Sequence, residues 1–567
     1  NATMVDSDGL LKWRPHNLQV QSGDFSNSAW SKASSTVDTS YVAPDGTSTA
    51  SKLTSNGASG GATGVYDSNP KGTGMSLTCF MKAGSSGVYG WIEGIVGGTS
   101  PYGVFDLESG TVVRSRECDA SIESVGNGWF RCVLANTTNA ISFFSAGGSD
   151  NTYSGSPWGS SSLTTGKFIY AWGAQLNRSD LGGMVNNPDA STGLGSYVPT
   201  TTSAVYLSRR GHHIYNGSAW VNEGILHESE ARTNLLNYSN DFTNAAWSKT
   251  NLTVTANQAT GPDGTVSATE VGIASIPQNS YGIHSEASTS GALSFFAKQN
   301  TERFFLIVRG AYTSGDWTIF DLSNGTVSKS PTYSGSSAEM VPMGNGWYRC
   351  VLQSAQASTI NAFSVSGSGT DNTTSTAGTV YLYGAQLEAG ATPSSYIPTG
   401  SAQVTRAAET LTVPAANLPY NSTNMSIQMD GKMTYADKDT TLNVQPYRWQ
   451  LSSSNYIDTR ITTSSSRIGQ PVFAQRQSTS GYDTSQGGNN AYSPDVNVPF
   501  NLASRNGSTF INGAHEGTLL TANTTPTALP TLSSTDLNLG QTFMGTIGQF
   551  RMWDEDITDA GITEAST

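Results

Sequence analysis

Charge is scarce in this chain of 567 residues: Asp, Glu, Lys and Arg together supply only 13% of it. Helix surfaces draw on those residues with Leu and Ala, so their shortage, beside 61 glycines and abundant Ser, Thr and Asn, turns the expectation to strands and turns. Basic charge is the scarcer sign, 29 Lys and Arg against 42 Asp and Glu, and no basic run exceeds Arg209-Arg210. A net charge of −13 argues against binding to nucleic-acid phosphates. Long apolar runs are missing as well. Runs such as Phe304 to Val308 are far shorter than the roughly 18 to 20 residues a membrane-crossing helix needs, and no signal-peptide pattern is found. No membrane insertion is expected.

Cysteine is almost absent. Cys79, Cys118, Cys132 and Cys350 form no Cys-x-x-Cys pair and too few bridges to staple so long a chain, so they read as small buried hydrophobes. That suits assembly in a reducing cytoplasm or domains large enough to need no staples. Catalytic patterns are missing too. The six histidines (His16, His212, His213, His227, His284, His515) include no His-Glu-x-x-His, and no Ser-His-Asp order or phosphate loop is found. The chain is therefore read as having no enzymatic activity and no cofactor, although a glycosidase's two carboxylates would need no local motif. It opens on Asn1 and not on Met, so its start is read as processed, truncated or renumbered.

What is present is an internal duplication. Asn17-Leu18 with Asp24-Phe25 and Trp30-Ser31-Lys32 recurs 217 positions later as Asn234-Leu235 with Asp241-Phe242 and Trp247-Ser248-Lys249. The match continues through Pro44-Asp45-Gly46 and Pro262-Asp263-Gly264, Phe105-Asp106-Leu107 and Phe320-Asp321-Leu322, then Asn127-Gly128-Trp129-Phe130-Arg131-Cys132 and Asn345-Gly346-Trp347-Tyr348-Arg349-Cys350. It closes with Gly173-Ala174-Gln175-Leu176 and Gly384-Ala385-Gln386-Leu387, then Ser196-Tyr197-Val198-Pro199-Thr200 and Ser395-Tyr396-Ile397-Pro398-Thr399. So long a period means a repeated whole domain and not a solenoid. Alternating apolar and polar residues between turn signals make each copy a two-sheet sandwich.

The expected fold class is all-β: two duplicated jelly-roll β-sandwiches followed by a third, concanavalin-like β-sandwich. Residues 1–16 are read as an N-terminal connector, 17–203 as the first module, 204–233 as a β-hairpin connector, 234–404 as the second module and 405–567 as the third sandwich. Asn216-Gly217 between short apolar stretches supplies the hairpin signal, and Trp220, Ile225 and Leu226 are expected to pack onto a neighbouring domain or chain. Thr558 and Asp559 are read within a short capped helical turn near the end.

These strings resemble modules found repeatedly in tailed-phage tail-fibre and other virion surface proteins, which are similar to carbohydrate-binding jelly rolls. The resemblance covers residues 17–203 and 234–408. Residues 409–567 resemble a concanavalin-like, laminin-G-type sandwich through Asn512-Gly513 and the closing Gly545-Thr546-Ile547-Gly548-Gln549-Phe550-Arg551-Met552-Trp553. What the resemblance implies is a non-enzymatic tail or head fibre, assembled in the host cytoplasm and placed on the virion surface. Its partners would be a host cell-surface glycan and other virion structural proteins, and phage-fibre symmetry would make it a homo-oligomer, a trimer by analogy. A decoration or adaptor protein without a glycan ligand, a polysaccharide depolymerase and a secreted bacterial adhesin are the rival readings. The first copy departs from the pattern where Asn177 stands for Glu388.

The matched aromatics Phe25/Phe242, Trp30/Trp247 and Trp129/Trp347 lie in strand-like runs and are expected in the core. Sugar-stacking candidates are sought among aromatics of the variable segments, where exposure is expected: Tyr102 and its counterpart Trp317, with Tyr153, Trp158 and Tyr312. The planar donor forks of Arg131 and Arg349 suit an acidic sugar, but pairing with a carboxylate such as Asp106 or Asp321 is the expectation preferred. Asp45 and Asp263 read as turn formers. In the acidic run Asp554-Glu555-Asp556, with Asp559 beyond it, Asp554 and Asp556 are the candidates for a structural calcium, set against a helix-start role for the same charges.

Overall fold

The computed structural model describes residues 2–567 apart from 59–60, 70, 96–98, 138–139, 152–154, 161, 192–193, 274–279, 313, 373–376, 391, 435–442, 465, 480 and 493–496. The described residues are nearly all in antiparallel strands and loops. The α-helices among them are Pro157–Ser160 and Thr558–Ala565. The chain divides into two compact units, residues 12–207 and residues 1–11 with 208–567.

The first unit is a jelly-roll sandwich of two six-stranded sheets. In spatial order, one sheet runs Thr111–Arg116, Tyr102–Asp106, Tyr89–Ile95, Phe143–Ser149, Thr63–Asp67 and Ser31–Ala33. The other runs Asp119–Gly126, Trp129–Thr137, Met75–Ala83, Phe168–Arg178, Ala50–Ser55 and Ser35–Tyr41. Alternate residues of both sheets point inward, so Leu77, Ile92, Phe105 and Leu134 form one buried core, which Phe25 and Trp30 enter from the turns before Ser31–Ala33.

In the second unit the repeated module keeps the same two layers but joins them. Tyr281–Gln299 and Trp347–Ser366 run unbroken from one layer into the other, giving a continuous ten-stranded sheet. The ladder between them is irregular from Ser285 to Gly291, where the strand turns the corner. Gly291 makes this possible: at φ +151° it passes so close to the Glu388 carbonyl that an added Cβ would lie 2.0 Å from that oxygen.

The matched blocks build the same buried scaffold in both copies. The Asn17 side-chain amide donates to the Ala174 and Val198 carbonyls and accepts from the Gln19 and Leu176 amides. Asn234 donates to the Ala385 and Ile397 carbonyls and accepts from Leu236 and Leu387. Ser22 Oγ meets Tyr197 Oη at 2.8 Å, and Ser239 Oγ meets Tyr396 Oη at 2.8 Å. The Trp30 indole donates to the Gln21 carbonyl, and Trp247 to that of Tyr238. The Asn, Ser and Trp recur because each pairs buried backbone groups, and the Tyr recurs because its hydroxyl meets that Ser.

The C-terminal sandwich has a six-stranded sheet, in order Leu411–Val413, Leu537–Thr542, Val444–Ser452, Asn455–Ile461, Pro471–Gln477 and Tyr482–Gln486. It faces a seven-stranded sheet across a core that includes Met429, Tyr447, Trp449, Phe473 and Phe543. That larger sheet does not start at residue 405. Its edge is formed by Arg209–Arg210 and Ile225–Glu228 of the connector, with Ile225 opposite Ile547 and Leu226 opposite Thr546. Between these two strands His213–Tyr215 and Trp220–Asn222 form the hairpin, closed by a bond from the Asn216 amide to the Ala219 carbonyl. Trp220 lies over Gly9 and Gly344, where any Cβ would enter its ring.

A buried ionic cluster fastens this connector. Arg209 Nη2 lies 2.6 Å from Glu228 and 2.5 Å from Glu409, while Arg406 Nε lies 3.0 Å from Glu228. Glu228 also accepts from the Ser395 amide and hydroxyl. Burial opposes its ionisation, yet Arg209, Arg406 and the Ser395 bonds hold its carboxyl well below the usual carboxylate range.

Candidate functional site

Two sheet faces, one in each repeated module, gather four of the five aromatics singled out in the sequence. In the first module Tyr102 stands opposite Glu93 and Arg116, and Val104 opposite Trp91 and Arg114. Period-two alternation therefore sends Trp91, Glu93, Tyr102, Val104 and both arginines to the outer side, while Ile92 and Phe105 enter the core. Trp91 lies flat across neighbouring strands because Gly64 and Gly147 leave it room: a Cβ on Gly147 would sit 2.5 Å from the ring. Trp158, on its short helix, meets Tyr66 edge-on at 4.7 Å and Trp91 at 6.4 Å.

Glu93 anchors that helix. Its carboxylate accepts from Ser156 Oγ at 2.5 Å and from the Trp158 amide at 2.8 Å. Burial raises its pKa, against the opposing pull of those hydrogen bonds. The guanidinium carbons of Arg114 and Arg116 lie 5.0 and 4.9 Å from the Tyr102 ring centre, and Arg114 donates to Tyr102 Oη and to the Gly155 carbonyl.

The second module carries the counterpart face with different chemistry. Trp317 stands opposite Val308, and Leu306, Val308 and Ile319 fill the positions of Trp91, Glu93 and Val104. Tyr312 lies 4.7 Å from Tyr281, and Lys329, opposite Ile319 as Arg114 is opposite Val104, reaches over Trp317 at 5.9 Å. The first face is polar and hydrogen-bonded; the second is apolar.

Several expectations about these residues need correction. Tyr102 and Tyr312, expected to be exposed, are only 5% and 8% exposed, covered by the two arginines and by Tyr281 respectively. Trp158 and Trp317 are half-buried and keep part of their rings accessible. Tyr153 falls outside the described residues. Arg131 and Arg349 do not pair with Asp106 or Asp321. Arg131 donates to Ser196 Oγ of the repeated Ser-Tyr block, and Arg349 to the carbonyl of Ser394 just before that block and to Ser294 Oγ on the neighbouring strand. Asp321 is held by Arg303 at 2.6 Å, and Asp106 accepts the amides of Glu108 and Ser109 in its turn. Asp556 and Asp559 are occupied by Arg505, and no group of three or more metal-ligating side chains is found among the described residues.

Other expectations match what the structure contains. The paired Phe25/Phe242, Trp30/Trp247 and Trp129/Trp347 are all buried, as are Cys79, Cys132 and Cys350, with Cys118 half-buried; all four thiols are free. Asp45 and Asp263 accept the amides of Thr47 and Thr265 two residues on, as turn formers do.

Sequence reasoning missed a cavity in the second unit, of about 210 Å³, lined by Met4, Val5, Trp220, Met343, Met544 and Arg349 among others. The only sequence signal for it was the apolar content of the connector and of the segment before the first module. Sequence reasoning also missed Glu93, since a single carboxylate in a strand carries no motif.

No family model matches the chain, and no curated protein matches it. Among solved structures it is similar to domains LG4-5 of the mouse laminin alpha1 chain, at 11% identity over 52% of this chain and 92% of that one, with a TM-score of 0.19.

Proposed function

We propose that this chain is a non-enzymatic virion surface protein of a tailed phage, a tail or head fibre, that presents its sandwich domains to glycans of the host envelope. The observation that carries this reading is the pair of equivalent outer sheet faces, each bearing a half-buried tryptophan, Trp158 or Trp317, beside further aromatic rings. Flat aromatic faces bind sugar rings through their C–H surfaces, and the half-buried setting fixes the ring without burying it. Duplication supports the reading by avidity: two linked weak sites hold a repetitive surface more tightly than either alone.

The test is binding of the full chain to an array of bacterial surface glycans, beside a Trp158→Ala/Trp317→Ala double variant. Binding by the natural chain that falls at least ten-fold in the variant is expected. An array silent to both refutes the glycan ligand, and absence of the chain from purified particles refutes the virion assignment. The burial of Tyr102 and Tyr312 favours a second reading, a decoration or adaptor protein whose modules serve as rigid spacers. Particle localisation with a silent array is its signature.

A further inference from the structure

The outer face of the six-stranded sheet in the C-terminal sandwich carries a concentration of arginine unusual for so acidic a chain. Strand alternation places Arg448, Tyr456, Asp458, Arg460, Arg476 and Tyr482 on that one face, because Tyr447, Trp449, Ile457 and Phe473 take the inward positions. Arg448 stands directly opposite Asp458, Tyr456 opposite Arg476, and Arg476 opposite Tyr482. The guanidinium of Arg448 lies 4.8 Å from the centre of the Tyr456 ring and that of Arg460 lies 5.6 Å from Tyr482. Tyr482 is 47% exposed, and the Arg460 side chain 20% exposed, so the face opens to solvent along this side.

At its centre is a polar group without the partners it needs. Asp458 is 2% exposed, and among the described residues no hydrogen bond reaches its Oδ1, nor is any made by Nε of Arg448 or of Arg460. The nearest cation, Arg460 Nη2, stands 3.6 Å away, an ion-pair distance and not a hydrogen bond. Burial pushes the Asp458 carboxyl up, and the two arginines only partly oppose this. Arg460 donates from Nη2 to Tyr482 Oη, so the unmatched groups are Oδ1 of Asp458 and the two Nε atoms, which leave capacity for a ligand that both donates and accepts.

We infer that this face binds a carboxylated saccharide. A uronate matches it group by group: its carboxylate meets a guanidinium fork, its ring C–H surface lies on Tyr482, and one hydroxyl donates to Asp458. A neutral sugar would leave the arginines unmatched, and a peptide carboxylate would leave the tyrosine face empty. The inference adds a separate saccharide site on the C-terminal sandwich, and it shares with the reading above only the premise that the ligand is a saccharide.

The test is titration of the full chain with an oligogalacturonate, beside neutral dextran and dextran sulfate. Saturable binding to the oligogalacturonate, weakened at least ten-fold by Arg460→Ala and at least five-fold by the near-isosteric Asp458→Asn, is expected. Near-UV circular dichroism and the unfolding midpoint check that both variants fold. Loss of array binding in Trp158→Ala/Trp317→Ala tests the module faces and loss of oligogalacturonate binding in Arg460→Ala tests this one, so the two readings fail separately. No binding by the natural chain, equal binding of dextran sulfate, or folded variants that bind as the natural chain does would each overturn the inference.

Discussion

Replacing the asparagine at the start of either module by alanine probes the duplicated scaffold directly. Asn17 and Asn234 are both fully buried, and each makes four hydrogen bonds to backbone groups of three separate segments. Alanine strands two amides and two carbonyls in a dry interior. At about 1 kcal/mol for each buried group left unpaired, Asn17→Ala and Asn234→Ala should each cost about 4 kcal/mol. That is a large share of the roughly 5 to 15 kcal/mol by which a domain is stable. Urea unfolding of the full chain followed by tryptophan fluorescence reads the loss, because Trp30 and Trp247 sit in the cores of the respective modules. Each variant is expected to shift one transition and spare the other. A loss below about 1 kcal/mol in either variant, or losses in the two differing by more than about 2 kcal/mol, would refute the argument that equivalent bonds do equivalent work.

Three further outcomes follow from the geometry. Glu228→Gln leaves Arg209 and Arg406 buried with too little negative charge, so it should destabilise the second unit by about 3 to 5 kcal/mol at pH 7. Because the folded-state pKa of Glu228 is depressed, its contribution is complete above the ordinary glutamate value of 4.5. Below that pH the gap between natural chain and variant should narrow by about 1.4 kcal/mol per unit, read by denaturant titration from pH 7 to pH 3; a constant gap would contradict it. Gly224→Ala places a Cβ 2.1 Å from the Ile547 carbonyl at φ +89°, so hydrogen exchange of the Ile225–Glu228 amides should accelerate and about 2 kcal/mol or more should be lost. Burial pushes the Cys79 thiol up to about 12 and Cys118 up to about 11, with Cys132 and Cys350 also raised, so a thiol reagent at pH 8 should label about one equivalent at most until urea exposes all four.

The core was legible in sequence because its signals are local and repeated. Phe25, Trp30 and Trp129 recur in register with Phe242, Trp247 and Trp347, and period-two alternation assigns a face within each strand. Exposure was less legible. Tyr102 looked available in its own strand, and only its neighbour across the ladder, Arg116, with Arg114 two residues before that, closes over it. The partners of Arg131 and Arg349 were misjudged for the same reason, since Ser196 and Ser394 lie tens of residues away along the chain.

What the sequence by itself determined is the all-β character, the doubled module and the hairpin at Asn216-Gly217, since composition, repetition and turn chemistry act over a few residues. Tertiary structure alone decided that the connector's flanking strands complete the edge of the C-terminal sheet, that Glu228 gathers two arginines and Ser395, and that Arg448, Asp458, Arg460 and Tyr482 share one face. Strand pairing and ion pairing depend on which distant segments arrive side by side. That is set by the closing of long loops around a common core, which no local pattern encodes.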